Sequence, residues 1–328
     1  MNRLDLEEFR SRRSDFDAAA DDTPGICGFC SNSSWQLAAH DQLHDTGPVR
    51  RHLIREHGGS WLLFAEQDQP GLFLPLEAAW MFGCPLVGNP ESATALLCDT
   101  ASRDLPEYSG NAAFVIGGLV RGGSMYRAID TLRSRSRVWR EFPGTSVMMI
   151  DLEEGIEAWW KRRSRKFRRS LRSAGAFPEE SPPGGVEFVD VSRDPPGALF
   201  ERLLAIQQRT YKWREGTDIF QIPSYTNFYR GLLDDLHVSG GLRVLVARRD
   251  GIDLAHIFGG VRGTTYRGLQ MSYIEEARDL GLGNQLQFEN LRRCAAEGVL
   301  TYDLGMHAPY KERWADRLEE RVGVLWMG

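Results

Sequence analysis

The sequence lacks an apolar run of the length that a membrane-spanning helix needs. Its longest clearly apolar stretch, residues 112–120, is far shorter than the roughly 20 residues required to cross a bilayer as a helix. Residues 1–22 mix charges of both signs and contain no apolar core of the kind that a secretory signal needs. We therefore expect a cytoplasmic protein without a membrane span.

Cysteine is scarce, and an excess of positive charge is missing. Five cysteines occur at irregular spacings in 328 residues, which favours reduced thiols over a disulfide framework. Lys and Arg number 40 against 45 Asp and Glu, so the formal net charge is −5 at pH 7. No overall field therefore favours nucleic acid or an anionic membrane, although a local basic patch remains compatible with this balance.

The length and composition are those of a globular protein with room for two domains. The chain is 42% hydrophobic and 26% charged, an ordinary globular balance, and it contains no internal repeat of fixed period. A Gly/Pro-rich tract at 176–185 is a candidate linker. We expect an N-terminal segment over 1–60, which includes a CxxC sequence and is either separate or part of the first domain, then one domain over 61–150 and another over 151–328.

The second half of the chain alternates strand-like and helical patterns in a definite order. Alternating or continuous apolar patterns predict strands, and apolar residues at helical spacing predict helices. In chain order, these patterns predict a strand at 185–191, helices at 198–213 and 225–237, strands at 242–251, 253–263 and 265–276, a helix at 284–298, a strand at 299–306, a short helix at 308–316 and a strand at 320–327.

A glycine loop stands between the fourth of these strands and the next helix. Gly281 and Gly283 follow Arg278 there. Bare backbone at a helix N-terminus can turn its N–H groups toward an anion, with the helix dipole behind them. The loop therefore predicts a phosphate site. A helix cap that only closes a turn is the alternative, and a dinucleotide fingerprint is disfavoured because Leu286 stands where its third glycine would be.

This order of elements and the Arg-x-x-Gly-x-Gly spacing resemble the GNAT acyltransferase superfamily, in which such a loop binds the pyrophosphate of acyl-coenzyme A. The segment YDLGMHAPYKERWAD (302–316), with the basic run upstream, resembles its CelD-like branch, which is related to the Fem-type aminoacyl transferases. The resemblance covers 146–328 well. It implies an α/β (α+β) protein with tandem GNAT-like folds, each a mixed, mostly antiparallel sheet flanked by helices, with splayed central strands. The first fold is then degenerate and shapes the acceptor cleft.

The resemblance also implies residues that bind coenzyme and residues that carry the chemistry. Coenzyme-binding candidates are the loop and the splayed fourth strand, namely Arg278, Gly281, Leu282, Gly283, Asn284, Met271, Ser272 and Tyr273. Acyl transfer needs a group that takes the amine proton and a group that stabilises or protonates the thiolate. Candidates for the base are Glu275, with Glu276 beside it, His256 and His307. Tyr310 is a candidate proton donor and Lys311 a candidate for stabilising negative charge.

A basic run, residues 161–172, has eight Lys or Arg among twelve residues, while its apolar residues share one helical stripe. The pattern predicts one amphipathic helix whose cationic side faces an anionic partner: a substrate phosphate, the coenzyme's 3′-phosphate or tRNA. A merely solvated face is the alternative. We take Lys166 and Arg168, together with Asp303, as candidates for substrate binding.

The CxxC at Cys27 and Cys30 raises a zinc hypothesis, because several histidines follow it. His52 and His57 are the candidate partners, and their spacing is loose for a structural finger. We favour free thiols and expect no metal.

Two functions remain open from the sequence. The first is an acyl-coenzyme-A-dependent N-acyltransferase, with acetyl-coenzyme A as the expected donor, acting on an amine of a small metabolite or cell-envelope precursor. The alternative is a Fem-like transferase that takes an aminoacyl group from tRNA and forms an amide or ester bond. The net acidity and the glycine loop favour the first function.

Overall fold

The computed structural model describes residues 1–43, 48–173 and 185–328. The candidate linker at 176–185 lies outside the described residues except for its last position. The chain divides into two compact units, one formed by 1–146 with 319–328 and the other by 147–318. Among the described residues, no helix is both long and apolar enough to cross a membrane.

The strands are β1 (Asn2–Leu4), β2 (Arg51–His57), β3 (Ser60–Glu66), β4 (Leu72–Pro75), β5 (Leu86–Val87), β6 (Ala113–Val120), β7 (Val138–Pro143), β8 (Val147–Asp151), β9 (Glu187–Asp190), β10 (Leu242–Arg249), β11 (Ile252–Arg262), β12 (Thr265–Tyr273), β13 (Thr301–Met306), β14 (Arg317–Glu319) and β15 (Arg321–Met327). The helices are α1 (Leu6–Ser11), α2 (Arg13–Asp21), α3 (Gly28–Ser31), α4 (Ser33–Gln42), α5 (Pro90–Arg103), α6 (Ser124–Asp130), α7 (Gly155–Arg162), α8 (Arg165–Ser173), α9 (Pro196–Gln207), α10 (Tyr211–Arg214), α11 (Pro223–Val238) and α12 (Leu282–Ala296).

The second unit contains one mixed sheet in the order β14-β8-β13-β12-β11-β10-β9. Its described pairs are antiparallel except β12 with β13, which is parallel. A parallel pair needs a crossover connection, and α12 supplies it. The core of this unit includes Trp159, Phe167, Leu291 and Trp314, which are buried side by side. This packing fixes α7, α8 and α12 relative to β13.

The first unit has a sheet of the same kind, in the order β1-β2-β3-β4-β6-β15-β7 with β5 added beside β3. Its parallel pair is β4 with β6, and α5 lies in the connection between them. Position by position, this order matches β9-β10-β11-β12-β13-β8-β14 of the second unit. The expected tandem of mixed, mostly antiparallel sheets flanked by helices is therefore confirmed, and the chain repeats a topology without repeating its sequence.

Two strands belong to sheets that their place in the sequence did not indicate. The C-terminal strand β15 pairs with β6 on one side and with β7 on the other, so it completes the first sheet and not the second. The strand β8 takes the corresponding place beside β13. The units therefore differ from a simple division into 61–150 and 151–328. The reason is strand pairing, which local patterns do not encode.

Two predicted helices also differ from the structure. The basic run forms α7 and α8 instead of one helix, because Arg163 between them is extended, with ψ of 147°. Residues 308–316 contain only a 3-10 turn over Pro309–Lys311. A stretch this short with proline at its start does not build an α-helix without packing support.

Candidate active site

The glycine loop adopts the conformation that the sequence predicts. A 3-10 turn over Glu275–Leu280 follows β12, and Gly281 then takes a left-handed conformation with φ of 66° directly before α12. No side chain caps the first turn of this 15-residue helix. The N–H of Asn284 donates to the carbonyl oxygen of Gly281 at 3.2 Å, so those of Leu282 and Gly283 remain available to an anion, and the helix dipole favours negative charge there.

A cleft of about 190 Å³ opens at this helix N-terminus. We call it the loop cleft, and its lining residues are Met271, Tyr273, Arg278, Gly281, Leu282, Gly283, Asn284, Gln287, Tyr310 and Trp314. Most of the coenzyme-binding candidates thus meet Tyr310 in one place. Arg278 is exposed, and the structure gives it no ion-pair partner within the described ranges. Its guanidinium is therefore available for a phosphate.

Gly283 gives this cleft its shape. A Cβ added there would lie 3.6 Å from Met271 Cε and 3.9 Å from Tyr273 Cε1, so a larger side chain would fill the space between the helix and β12. Because side chains alternate along a strand, Ser272 points to the opposite face of β12 and is buried. Ser272 therefore lies outside the lining of the loop cleft, and its predicted role in coenzyme binding stays a prediction.

The parallel strands β12 and β13 separate after a short paired segment. The pairs are Thr265 with Thr301, Tyr266 with Tyr302 and Arg267 with Asp303. Beyond them Gly305 has φ of 83°, and the pairing of β13 with β8 shifts register there. The strands therefore form a fork, with open backbone at its mouth. This is the splay between these two strands that the resemblance implies.

The ammonium group of Lys311 lies at the fork. Its Nζ donates a hydrogen bond to the carbonyl oxygen of Met306 at 2.9 Å. A Cβ added at Gly305 would lie 3.5 Å from Lys311 Nζ and 3.6 Å from the carbonyl oxygen of Gly268, a residue of β12. Burial is the largest cause that lowers the pKa of Lys311 to about 8, and the charge of Arg267 is the second. The lysine is thus a cation in a partly desolvated position at neutral pH.

A buried ion pair closes the base of the fork. Arg267 and Asp303 are each at most 4% exposed and are joined by a hydrogen bond. The other oxygen of Asp303 accepts from the N–H of Gly305 at 2.7 Å. Asp303 therefore holds the backbone of the fork in place. Its predicted role in substrate binding does not fit this position, because both carboxylate oxygens face protein groups.

The remaining candidates at the end of β12 and after β13 have separate surroundings. Glu275 forms an ion pair with Arg214, and both line a second cleft of about 370 Å³ beside Tyr273 and Arg278. We call it the middle cleft. The side chain of Tyr310 is half exposed, and burial of the rest raises its pKa. It can donate a proton in the loop cleft, since its hydroxyl stays protonated at neutral pH.

The two histidine candidates for the base lie away from the loop cleft. His256 is 1% exposed in β11, its Nε2 lies 3.1 Å from Gln207 Oε1, and burial lowers its pKa to about 3. A base that must reach a bound amine cannot be sealed in this way. His307 is on the surface and contacts Glu312, with Nε2 2.9 Å from Oε1.

Some cations of the basic run bind other parts of the fold, and others are exposed. Arg163 donates to the carbonyl oxygens of Trp314 and Ala315 and pairs with Asp316, which ties α7 to the segment after the fork. Lys166 is exposed on α8 and Arg168 is half-buried there. Neither of these two lines the loop cleft, so their proposed contact would be with a larger ligand.

The residues of the zinc hypothesis are not brought together. His52 Nε2 lies 2.8 Å from His40 Nε2, His57 is exposed, and Cys27 and Cys30 are buried around α3. Throughout 1–43, 48–173 and 185–328, no group of three or more His, Cys, Asp or Glu is arranged to hold a metal ion.

The equivalent position in the first unit is closed to an anion. Helix α5 occupies the place of α12, but Asn89 caps it by accepting from the N–H of Ser92, and Pro90 stands at its start. Proline has no N–H to offer, and the cap uses another. The difference accords with the expectation that the first fold is degenerate.

A third cleft, of about 280 Å³, was not predicted from the sequence. We call it the α10 cleft, and it is lined by Gln207, Tyr211, Lys212, Thr217, Asp218, Ile219 and Gln270. These residues come from α9, α10, the turn after α10 and β12, and no motif marks them. The folded chain brings them together.

Comparison with known proteins assigns the class. Residues 161–312 match the family model described as an acetyltransferase (GNAT) domain. The chain therefore carries a GNAT domain that lies within the second unit and contains the glycine loop, the fork and Lys311. The match covers less than half of the chain, so the assignment to GNAT acyltransferases is made for this domain. No curated protein matches the chain.

The chain has a fold similar to those of several solved structures, and the similarity extends over both units. The crystal structure of FemX has a TM-score of 0.68 at 13% identity, with 99% of this chain and 97% of that chain covered. A conserved protein of unknown function from Bacteroides thetaiotaomicron VPI-5482 has a TM-score of 0.66 at 12% identity, with 100% of both covered. L-PGS from Bacillus licheniformis has a TM-score of 0.57 at 12% identity, with 95% and 91% covered. At these identities the likeness concerns the fold.

Proposed function

We propose that the protein is an N-acyltransferase that takes an acyl group, with acetyl as the expected case, from coenzyme A. The observation that carries the proposal is the uncapped N-terminus of α12 behind Gly281, which opens into the loop cleft beside an unpaired Arg278. Backbone N–H groups and a guanidinium together suit a pyrophosphate. The acceptor in this proposal is a small molecule that carries an amine.

The residues of the fork suit the transfer step. The acceptor nitrogen forms a bond to the thioester carbonyl carbon, the carbon–sulfur bond breaks, the nitrogen loses a proton and the sulfur gains one. Lys311 lies where it can stabilise the negative charge that develops, and Tyr310 can supply the proton to the sulfur. Glu275, which is paired with Arg214, is the remaining candidate for accepting the amine proton through water.

The alternative donor is an aminoacyl-tRNA, as in Fem-type transferases. Support for it comes from the exposed cations of α8 and from the fold shared with FemX over 99% of this chain. The first function remains the better supported one, because the loop cleft suits a pyrophosphate and the formal net charge of the chain is −5 at pH 7.

The test compares the two donors directly. The protein is incubated with acetyl-coenzyme A and a panel of primary amines, and release of free thiol is followed. In parallel, it is incubated with tRNA charged with a radiolabelled amino acid and the same amines. We expect amine-dependent thiol release that is lost in Lys311→Met. Transfer from charged tRNA without any thiol release would overturn the proposal.

A further inference from the structure

The walls of the α10 cleft are fixed by a chain of buried hydrogen bonds. Gln207 donates from Nε2 to Asp218 at 2.7 Å, and its Oε1 faces His256 Nε2 at 3.1 Å. Asp218, which is 3% exposed, also accepts from the N–H of Phe220 at 2.9 Å. Both ends of Gln207 and both oxygens of Asp218 therefore have protein partners. These polar groups shape the cleft, and they do not need a ligand to be satisfied.

Lys212 contributes the unneutralised charge of this cleft. Its side chain is exposed, and within the described part of the chain no ion pair involves it. The arginines nearby in the sequence are already paired, Arg214 with Glu275 and Arg209 with Glu276. The carboxylate oxygens of Asp218 face protein donors and Asp218 is buried, so the exposed Lys212 is the charged side chain of the lining that is accessible to a ligand.

The α10 cleft and the loop cleft use opposite faces of β12. Gln270 lines the first and its neighbour Met271 lines the second, and side chains of consecutive strand residues point to opposite faces. The fork begins just before this point on β12, next to the ammonium of Lys311. An acceptor in the α10 cleft would therefore approach the fork from the side opposite the coenzyme.

The electrostatics of the two lysines agree with this placement. Burial and the charge of Arg267 lower the pKa of Lys311, the charge of Asp303 opposes this shift, and the charge of Lys212 adds a smaller lowering contribution. Two ammonium groups that affect each other in this way create a positive region between the cleft and the fork. Such a region attracts an anionic ligand and also favours the neutral form of an acceptor amine, the form that attacks a thioester.

We infer that the α10 cleft binds the acceptor, that the acceptor is a primary amine which also carries a carboxylate or a phosphate, and that Lys212 selects it by pairing with this anionic group. The inference rests on the proposed function for the identity of the reaction. It adds the chemical class of the acceptor and the residue that recognises it. The amide of Gln270, whose Nε2 donates to Tyr229 at 3.0 Å, leaves its carbonyl oxygen to orient the ligand.

The test uses pairs of amines that differ only in the anion: glucosamine 6-phosphate with glucosamine, phosphoethanolamine with ethanolamine, and L-alanine with L-alaninamide. Binding of each is measured by calorimetry, with and without saturating coenzyme A. We expect the protein to bind the anionic member of at least one pair about tenfold or more tightly than its neutral partner. Lys212→Met should abolish this preference and Lys212→Arg should retain it.

The control is Arg103→Met, which removes one exposed positive charge from α5 of the first unit and should leave the preference unchanged. Equal binding of both members in every pair, or a preference that survives in Lys212→Met, would overturn the inference. A protein that prefers the anionic member but does not bind coenzyme A would contradict the proposed function and leave the role of Lys212 supported. Circular dichroism of the variants establishes that each is folded.

Discussion

Lys311 Nζ donates a hydrogen bond to the carbonyl oxygen of Met306 at 2.9 Å, at the mouth of the fork between β12 and β13. The bond orients a cation toward open backbone, where the resemblance to GNAT enzymes places the thioester. Several outcomes follow from this relationship and from the loop that precedes α12.

Lys311→Met should lower kcat by about 10²-fold, because one electrostatic stabiliser of the transition state is lost. Affinity for coenzyme A should remain. The pKa of Lys311 is lowered to about 8, so the lysine loses its charge as the pH rises through 8. We therefore expect a descending limb of kcat/KM near pH 8, absent in the variant, because this constant reports the titration of the free enzyme. A rate that rises through pH 8 because of Lys311 would mean that the neutral form of this lysine is the active one. Full turnover by Lys311→Met would show that the lysine has no part in the chemistry.

Gly281→Val and Gly298→Val form a matched pair at the two ends of α12. Both glycines have positive φ, 66° and 88°, so each valine should destabilise the protein by about 1–2 kcal/mol or somewhat more. Only Gly281 lines the loop cleft, whereas nothing lies within 4 Å of a Cβ added at Gly298. Calorimetry should show that coenzyme A binds the Gly298 variant and not the Gly281 variant. Equal affinities would show that the loop is only a helix cap.

Arg278→Ala should raise the KM for the coenzyme by about 10- to 100-fold with little change in kcat. A charge-assisted hydrogen bond contributes about 1.5–3 kcal/mol, and a phosphate contact is made equally in ground state and transition state. Arg278→Lys keeps the charge without the planar guanidinium, so its KM should lie between those of the parent protein and of Arg278→Ala. Steady-state kinetics at varied coenzyme concentrations measure kcat and KM. A fall in kcat at unchanged KM would contradict a purely binding role.

His256 should make the free energy of unfolding depend on pH. Burial lowers its pKa to about 3 from the ordinary 6.5, so between these values the unfolded chain binds a proton that the folded protein does not. The stabilisation is fully present above pH 6.5 and is lost as the pH falls, by up to about 1.4 kcal/mol per pH unit. Urea unfolding of His256→Gln between pH 4.5 and 7.5 should show a smaller slope than the parent protein, while the exposed His57→Gln should not. An unchanged slope in His256→Gln would mean that the imidazole is not buried in its neutral form.

The sequence predicts the parts of the site that local chemistry defines. The strands β10 to β12, the glycine loop and the helix behind it follow from periodicity and from the need for φ > 0 at Gly281. The pairing of β15 with β6 could not be predicted in this way, since an apolar strand does not specify its neighbours. The α10 cleft was missed because Lys212 and Asp218 sit on a single helical turn and a loop. His256 was one of several candidates for the base, and the sequence could not show that its imidazole is buried.

Binding of coenzyme A to the intact protein tests the central claim most directly. A ligand that binds only the native state raises the free energy of unfolding by about 2.7 kcal/mol at a hundredfold excess over Kd. Thermal denaturation with acetyl-coenzyme A should therefore show an upward shift in Tm that grows with ligand concentration and is missing in Gly281→Val. No shift with acetyl- or longer acyl-coenzyme A, together with a shift produced by charged tRNA, would contradict the account.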